Sequence, residues 1–252
     1  MNRKTLSLLL GAMLLFVSVT TAEDSLEEVL SSHYEAIGGV DAWKAIDSCR
    51  LNGRMVMPMG MEAPFVTTFA RPLRTRLEFT LQGMTATQVF DGEVAWAILP
   101  FIGSTDPQMM PDEQARLMRE QADFDGPLID WEAKGHQVEL IGTEDLEGTE
   151  AYHLEVILDS GDARDFYLDG ESYLLIRLEA KTEIQGTEME VETIFSDYRE
   201  VGGLMMAHSI ESRPKGAPAG QVLTMESIEL NVEVEDDFFA MPEPPAESEA
   251  AE

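Results

Sequence analysis

A two-residue alternation of apolar and polar side chains constrains the fold of this chain more than any other feature. In one segment Leu77, Phe79 and Leu81 alternate with polar residues, and the same period returns over residues 152–159 and 228–235. Such alternation is typical of antiparallel strands that bury one face and leave the other face in water. The pattern therefore predicts a mainly β, α+β fold with an antiparallel sheet.

Turn pairs that contain glycine separate the alternating segments. The clearest is Asp91-Gly92, which divides the apolar run VFDGEVAWAILPF (residues 89–101) into a predicted hairpin. Similar turns along the chain predict about eleven strands with hairpin connections. Eight closed strands leave an interior just filled by side chains, and more strands widen it. We therefore expect a curved sheet that forms an incomplete β-barrel around an apolar space, although a filled sandwich would use the same residue types.

Three parts of the chain are predicted to be helical, the shortest of which is residues 40–46. Ser25 and Glu28 form a capping-box pattern that begins an N-terminal helix, which should end at Gly38-Gly39. The longer insertion, residues 101–135, interrupts the strands and has Pro111 at a helix start. Its position directly after the predicted hairpin favours a helical cover across the open side of the sheet.

The ends of the chain differ in composition from the rest. Arg3 and Lys4 precede an apolar run and a small-residue site that ends at Ala22, which is the pattern of a secretory signal peptide. We expect export to the periplasm, a single folded domain at residues 23–241, and no stable membrane insertion after signal cleavage. Residues 242–252 lack apolar anchors and are predicted to be a disordered acidic tail.

The chain is strongly acidic, with 48 acidic and 17 basic residues and a formal net charge of -31. Such a charge repels nucleic-acid phosphates and anionic lipid surfaces, so nucleic-acid binding is excluded, whereas a basic partner protein remains an alternative. The single cysteine, Cys49, cannot form an internal disulfide. An exported fold of this size must then be stabilised by burial.

No residue pattern indicates catalysis or a cofactor. The four histidines are scattered without zinc-ligand spacing, and no nucleophile elbow or phosphate loop is present. We therefore expect a protein that is not an enzyme and has no metal or cofactor. Met55, Met57, Met59 and Met61 alternate and would share one face if their strand continued. Thioethers suit Cu(I), but methionine also lines adaptable apolar surfaces, and the lining interpretation is favoured.

The order of these segments resembles the periplasmic outer membrane lipoprotein-sorting and lipoprotein-carrier family of LolA, LolB and LppX-like proteins. The resemblance implies an N-terminal helix before a curved sheet, an incomplete barrel closed by inserted helices, and a carrier of lipid-like molecules. It also implies an arginine that helps to hold the lid, for which Arg50, Arg54 and Arg76 are candidates. The segments that carry the resemblance are YEAIGGVDAWKAIDS (34–48), VFDGEVAWAILPF (89–101), DFYLDGESYLLIRLE (165–179) and FSDYREVGGLMMAHSI (195–210).

These observations together favour an exported binder or carrier of lipid-like molecules, which include the acyl chains of lipoproteins. A sensory or scaffold module with the same fold and a methionine-rich Cu(I) binder are the alternatives. Large apolar residues on the predicted strands, with two from the cover, are expected to line the cavity. They are Met55, Met57, Phe65, Phe69, Leu77, Phe79, Phe90, Trp96, Ile98, Phe101, Leu128 and Trp131.

Overall fold

The computed structural model describes residues 24–58, 60–184 and 187–242. The predicted signal peptide and residues 243–252 of the predicted tail lie outside the described residues. The helices are α1 (Leu26–Ala36), α2 (Val40–Lys44) and α3 (Asp112–Gln121). The strands are β1 (Ser48–Val56), β2 (Glu62–Ala70), β3 (Arg74–Leu81), β4 (Met84–Phe90), β5 (Ala95–Leu99), β6 (Ser104–Met109), β7 (Gln137–Leu146), β8 (Thr149–Ile157), β9 (Ala163–Asp169), β10 (Leu175–Ile184), β11 (Thr187–Val201), β12 (Leu204–Pro214) and β13 (Gln221–Leu230).

The thirteen strands of the described residues form one antiparallel sheet in the order β6-β5-β4-β3-β2-β1-β13-β12-β11-β10-β9-β8-β7. β6 and β7 are its two edges, so the curved sheet does not close into a barrel. The predicted mainly β fold with an incomplete barrel is confirmed, with thirteen strands instead of about eleven. β6 was not predicted because its sequence, STDPQM, has no apolar alternation.

The pairing registers show which side chains share a face of the sheet, because cross-strand neighbours point the same way. Phe65, Phe79 and Ala86 are successive partners across β2, β3 and β4. Phe90 lies four residues beyond Ala86, hence on the same face, and belongs to one packed cluster with Met118 of α3. We call this side, on which the helices pack, the inner face.

The helices begin and pack as their sequences predict. The Ser25 hydroxyl accepts a hydrogen bond from the backbone N–H of Glu28, whose carboxylate accepts one from the Ser25 N–H at 2.8 Å. α1 buries Val29 and Leu30 in a cluster with residues of β7, β8 and β9. α2 buries Trp43 beside Cys49 of β1. None of the helices in the described ranges has the length and hydropathy needed to cross a bilayer.

The outer face of β3, β4 and β5 is covered by residues 234–241, which we call the C-terminal strap. Phe239 is 2% exposed and packs in one cluster with Trp96 and Val89. The Trp96 indole N–H donates a hydrogen bond to the Phe239 carbonyl at 3.1 Å. The guanidinium groups of Arg74 and Arg76 stack over the rings of the strap. The strap therefore buries the outer face of β4 and β5 around Val89 and Trp96.

Candidate ligand-binding cavity

A cavity of about 740 Å³ lies on the inner face beneath α3 and residues 123–136, which together we call the cover. Phe166 of β9 and Leu178 of β10 are cross-strand partners and contribute its sheet wall, and Leu117 of α3 faces them from the cover. Its volume is within the range of about 300–1,000 Å³ found for small-molecule sites. Its other apolar lining residues are Pro72, Leu73, Pro127, Ala133 and Leu158.

The sheet wall of the cavity belongs to a longer apolar surface. The partner of Leu178 on β11 is Thr193, and Phe195, two residues further on, shares its face. Partners continue from Phe195 across β12, β13 and β1 through Ile210, Leu223 and Met55. Ile210 and Leu223 are only half-buried. The inner face thus offers apolar surface beyond the cavity itself.

Arg71, in the turn between β2 and β3, ties the cover to the rest of the fold. Its guanidinium makes a bidentate contact with the Asp125 carboxylate, both bonds being 2.7 Å. It also donates to the carbonyls of Ile46 at 2.7 Å and Trp43 at 2.9 Å, at the end of α2. The hydrogen bond to Asp125 raises the pKa of Arg71 above its usual value. This geometry is that of a strong, charge-assisted pair.

Two further ion pairs involve residues 123–136 of the cover. The Lys134 ammonium donates to the Asp123 carboxylate at 2.6 Å and to the Gly126 carbonyl at 2.8 Å. Burial raises the pKa of Asp123 although Lys134 acts in the opposite direction. Lys44 of α2 forms an ion pair with Asp130 of the cover. The first pair joins two residues of the cover to each other, and the second fixes the cover beside α2.

A third set of ion pairs joins α3 to the sheet on the far side of the cavity. Arg116 contacts both Glu120, at 2.8 Å, and Asp162, in the turn between β8 and β9. Arg164 of β9 donates to the same Glu120 carboxylate at 3.1 Å. The cavity therefore has an apolar interior and a rim of charged side chains.

Half of the predicted lining residues share the inner face, but none of the twelve lines the 740 Å³ cavity. The register places Met55, Phe65, Phe69, Leu77, Phe79 and Phe90 on this face. Phe101 follows β5 in a short 3-10 turn, and its ring lies 5.7 Å from that of Phe79. Leu128 and Trp131 of the cover pack in one cluster with α1.

Trp96 and Ile98 lie on the outer face, because their β4 partners are Val89 and Thr87. There they line a smaller cavity of about 340 Å³ next to the strap. Arg71, Leu117, Phe166 and Leu178 were not among the predicted residues. Leu117 is at an apolar position of α3, whereas no sequence pattern indicates that Arg71 meets the cover.

The candidate lid arginines have other partners. Arg50 donates to the Thr68 hydroxyl, Arg54 pairs with Glu62 and Glu226, and Arg76 donates to the Phe238 carbonyl of the strap. Three other arginines, Arg71, Arg116 and Arg164, take part in the contacts that join the cover to the rest of the fold. Arg71 is the one that also contacts the end of α2, through the carbonyls of Trp43 and Ile46.

The methionine segment forms a hairpin loop rather than a continuous strand. β1 ends at Val56, and the Met57 N–H donates to the Met61 carbonyl at 2.8 Å. Met55 is buried in the inner-face cluster, whereas Met61 is 39% exposed. Met59 lies outside the described residues. The methionine sulfur atoms would share one face only if the strand continued. Because β1 ends at Val56, this condition is not met.

Two glutamates of β11 on the outer face of the sheet differ in their burial. Glu190 is exposed, but Glu192 is 6% exposed and accepts from Arg213 at 2.7 Å. Arg177 approaches the same carboxylate at 4.0 Å. No group of three or more histidine, cysteine or carboxylate side chains within the described ranges is placed to hold a metal ion.

Comparison with known proteins identifies the fold. Neither a family model nor a curated protein matches the chain. Among solved structures, a LolA superfamily protein from Nitrosomonas europaea is 14% identical, with a TM-score of 0.57 over 83% of this chain and 96% of that one. A domain from Vibrio parahaemolyticus, described as an outer membrane lipoprotein-sorting protein, is 12% identical, with a TM-score of 0.54 over 84% and 94%.

A DUF1329 family protein from Desulfovibrio piger is 13% identical, with a TM-score of 0.56 over 83% of this chain and 96% of that one. The matches extend over nearly the whole of each solved chain, so they include the sheet as well as its helices. At such low identity they establish the architecture of the chain. The resemblance seen in the sequence is confirmed at this level, and the chain is a half-barrel of the LolA-like fold.

Proposed function

We propose that this protein is exported to the periplasm, where a single folded domain of residues 23–241 binds or carries lipid-like molecules. We propose further that it does not act as an enzyme. The observation that carries the proposal is the 740 Å³ cavity, whose apolar walls come from Leu117, Phe166 and Leu178. A hydrophobic tail in this space would meet side chains from both sheet and cover. Free lipids and the acyl chains of a modified protein share this chemistry.

Burial alone can supply the affinity that such a function needs. A buried methylene contributes about 0.8 kcal/mol, so a chain of about 14 carbons offers about 11 kcal/mol. Association costs about 4–15 kcal/mol, which makes a single buried chain close to marginal. Further apolar contact is available along the inner face at Leu77, Phe79 and Leu223, which are half-buried. A longer or second chain would extend from the cavity along this surface.

The test is to purify the protein from the periplasm without detergent and to analyse organic extracts by mass spectrometry. Leu117→Glu places a charge in the cavity wall and should remove the bound lipid. Gln114→Glu is the matched control, because it adds the same charge to an exposed position of α3 outside the cavity. It should retain the lipid.

Equal lipid content in the two variants would overturn the proposal. Wild-type protein that contains no lipid and takes up none from vesicles would favour the scaffold alternative, in which a basic partner protein is the ligand. Loss of bound Cu(I) from a Met55→Leu variant, together with an absence of lipid, would favour the copper alternative. Phe79→Glu tests the inner face beyond the cavity and should lower the capacity for long-chain lipids, with Glu190→Gln as the outer-face control.

A further inference from the structure

Basic residues are scarce in this chain but concentrated around the cavity. Of the 17 lysines and arginines, two precede the described part and six line the cavity. They are Lys44, Arg71, Arg116, Arg119, Lys134 and Arg164. The cavity has five carboxylates, so its lining carries a small positive charge in a chain whose net charge is -31. The lining of this cavity therefore repels an anion less than the chain as a whole does.

Most of these cations are neutralised by the ion pairs that hold the cover, but Arg119 is only weakly paired. Its nearest carboxylate among the described residues is that of Asp159, at 3.9 Å, and 58% of the Arg119 side chain is exposed. That distance is too long for a hydrogen bond. The guanidinium of Arg119 therefore retains donors for a ligand at the rim.

His136 provides a second donor beside Arg119. Its Nδ1 atom accepts a hydrogen bond from the backbone N–H of Asp159 at 3.0 Å, so Nδ1 carries no proton. Burial lowers the pKa of His136, and the neutral ring must then hold its proton on Nε2. Both Arg119 and His136 thus contact residue 159, and both line the cavity. An anionic group that reached both side chains would be offered a guanidinium and an imidazole N–H, next to the Asp159 carboxylate that pairs only weakly with Arg119.

We propose that the preferred ligand of the cavity is a single-chain amphiphile with an anionic headgroup, whose tail contacts Leu117, Phe166 and Leu178 and whose headgroup is bound by Arg119 and His136. This inference rests on the proposed lipid-binding function and adds the headgroup chemistry to it. The volume of about 740 Å³ suits one small ligand, and the headgroup contacts would add the affinity that a single buried chain lacks. A carboxylate and a phosphate are both recognised by this donor pair, and the experiment distinguishes them.

The experiment titrates delipidated full-length protein by calorimetry with ligands that share one acyl chain and differ in the headgroup. They are a fatty acid, a lysophosphatidic acid, a zwitterionic lysophosphatidylcholine and a neutral monoacylglycerol, with inorganic phosphate as the probe without a tail. We expect the two anionic ligands to bind at least about 10-fold more tightly than the neutral one, because hydrogen bonds to charged groups are the stronger ones. The tighter of the two identifies carboxylate or phosphate as the preferred group.

Arg119→Gln removes the charge while keeping a good helix former on α3. It should weaken anionic ligands by about 5- to 20-fold and leave the monoacylglycerol unchanged. The matched control is Arg199→Gln, which removes the same charge from a side chain of β11 that is equally exposed and is paired with Asp197 at 2.6 Å. It should change neither affinity.

Equal affinity for anionic and neutral ligands, or equal effects of the two arginine variants, would overturn the headgroup inference and leave the proposed lipid-binding function intact. Failure of every amphiphile to bind would overturn both. If inorganic phosphate binds as tightly as lysophosphatidic acid, the site binds free anions, and the inference that its ligand is an amphiphile is overturned. Leu117→Glu should weaken even the neutral monoacylglycerol, which is the readout of the lipid-binding function alone.

Discussion

The pair between Arg71 and Asp125 should be the most sensitive single contact in the attachment of the cover. The Asp125 side chain is 6% exposed and that of Arg71 is 28% exposed. An Arg71→Leu substitution leaves a buried carboxylate without its partner, which costs about 3–5 kcal/mol. The lower end of this range applies because water can reach the partly exposed site of Arg71. We therefore expect a loss of about 3 kcal/mol in the free energy of unfolding.

The assay is urea unfolding at pH 7 of Arg71→Leu, Asp125→Leu and the double variant. Replacement of both partners by apolar residues removes the unpaired charge, so the double variant should lose at least about 1.5 kcal/mol less than the sum of the single variants. The exposed pair of Arg54 and Glu62 is the control and should show no measurable coupling. Additive effects within about 0.5 kcal/mol at Arg71 and Asp125 would refute the reasoning.

Three further predictions test other parts of the fold. Phe239→Ala should lower the free energy of unfolding by about 3–5 kcal/mol, because the ring is 2% exposed. A loss under about 1 kcal/mol in urea titrations would show that the strap contributes little to stability. Burial raises the pKa of the Cys49 thiol to about 12, so a thiol reagent at pH 8 should react only with unfolded protein, and rapid reaction of the native protein would contradict this. Desolvation raises the pKa of Glu192, but the hydrogen bond from Arg213 and the charge of Arg177 outweigh it and hold the pKa below 4.5. The stability that Glu192 contributes is then present above pH 4.5 and is lost as the pH falls through its folded-state pKa. Below pH 4.5 the free energy of unfolding of Glu192→Gln should therefore fall less steeply with pH than that of the wild type. Identical pH dependence of the two proteins would contradict this.

The sequence predicts those features whose cause is local. At the Asp91-Gly92 turn, the Asp91 carboxylate accepts hydrogen bonds from the N–H groups of Glu93 and Val94, both at 2.9 Å, which is the reason aspartate favours this position. The capping box of α1 and the start of α3 after Pro111 have the same local character. The strands of the sheet are also predicted from the alternation, because the period of two depends only on neighbouring residues.

The sequence does not predict which face of a strand points toward the cavity when both faces are apolar. Phe90 and Trp96 both belong to the hairpin of β4 and β5, yet one faces the cover and the other faces the strap. The strap residue that covers Trp96 is Phe239, which is 143 positions away along the chain. The rim of the cavity was missed for the same reason, since Arg71 and Asp125 are 54 positions apart.

The attachment of the cover connects stability with the proposed ligand binding. α3 packs on the sheet through Met118 and Ala122, whereas Leu117 lines the cavity beside them and is only half-buried. Apolar surface that the protein itself leaves incompletely covered gains contacts when a tail enters. A ligand that binds the folded state alone adds about 2.7 kcal/mol to its stability at 100 times the dissociation constant. Under the proposed function, the ion pairs of the rim keep the cover in place while a bound lipid completes the apolar contacts of the interior. Delipidated protein should then unfold at a lower urea concentration than the loaded form.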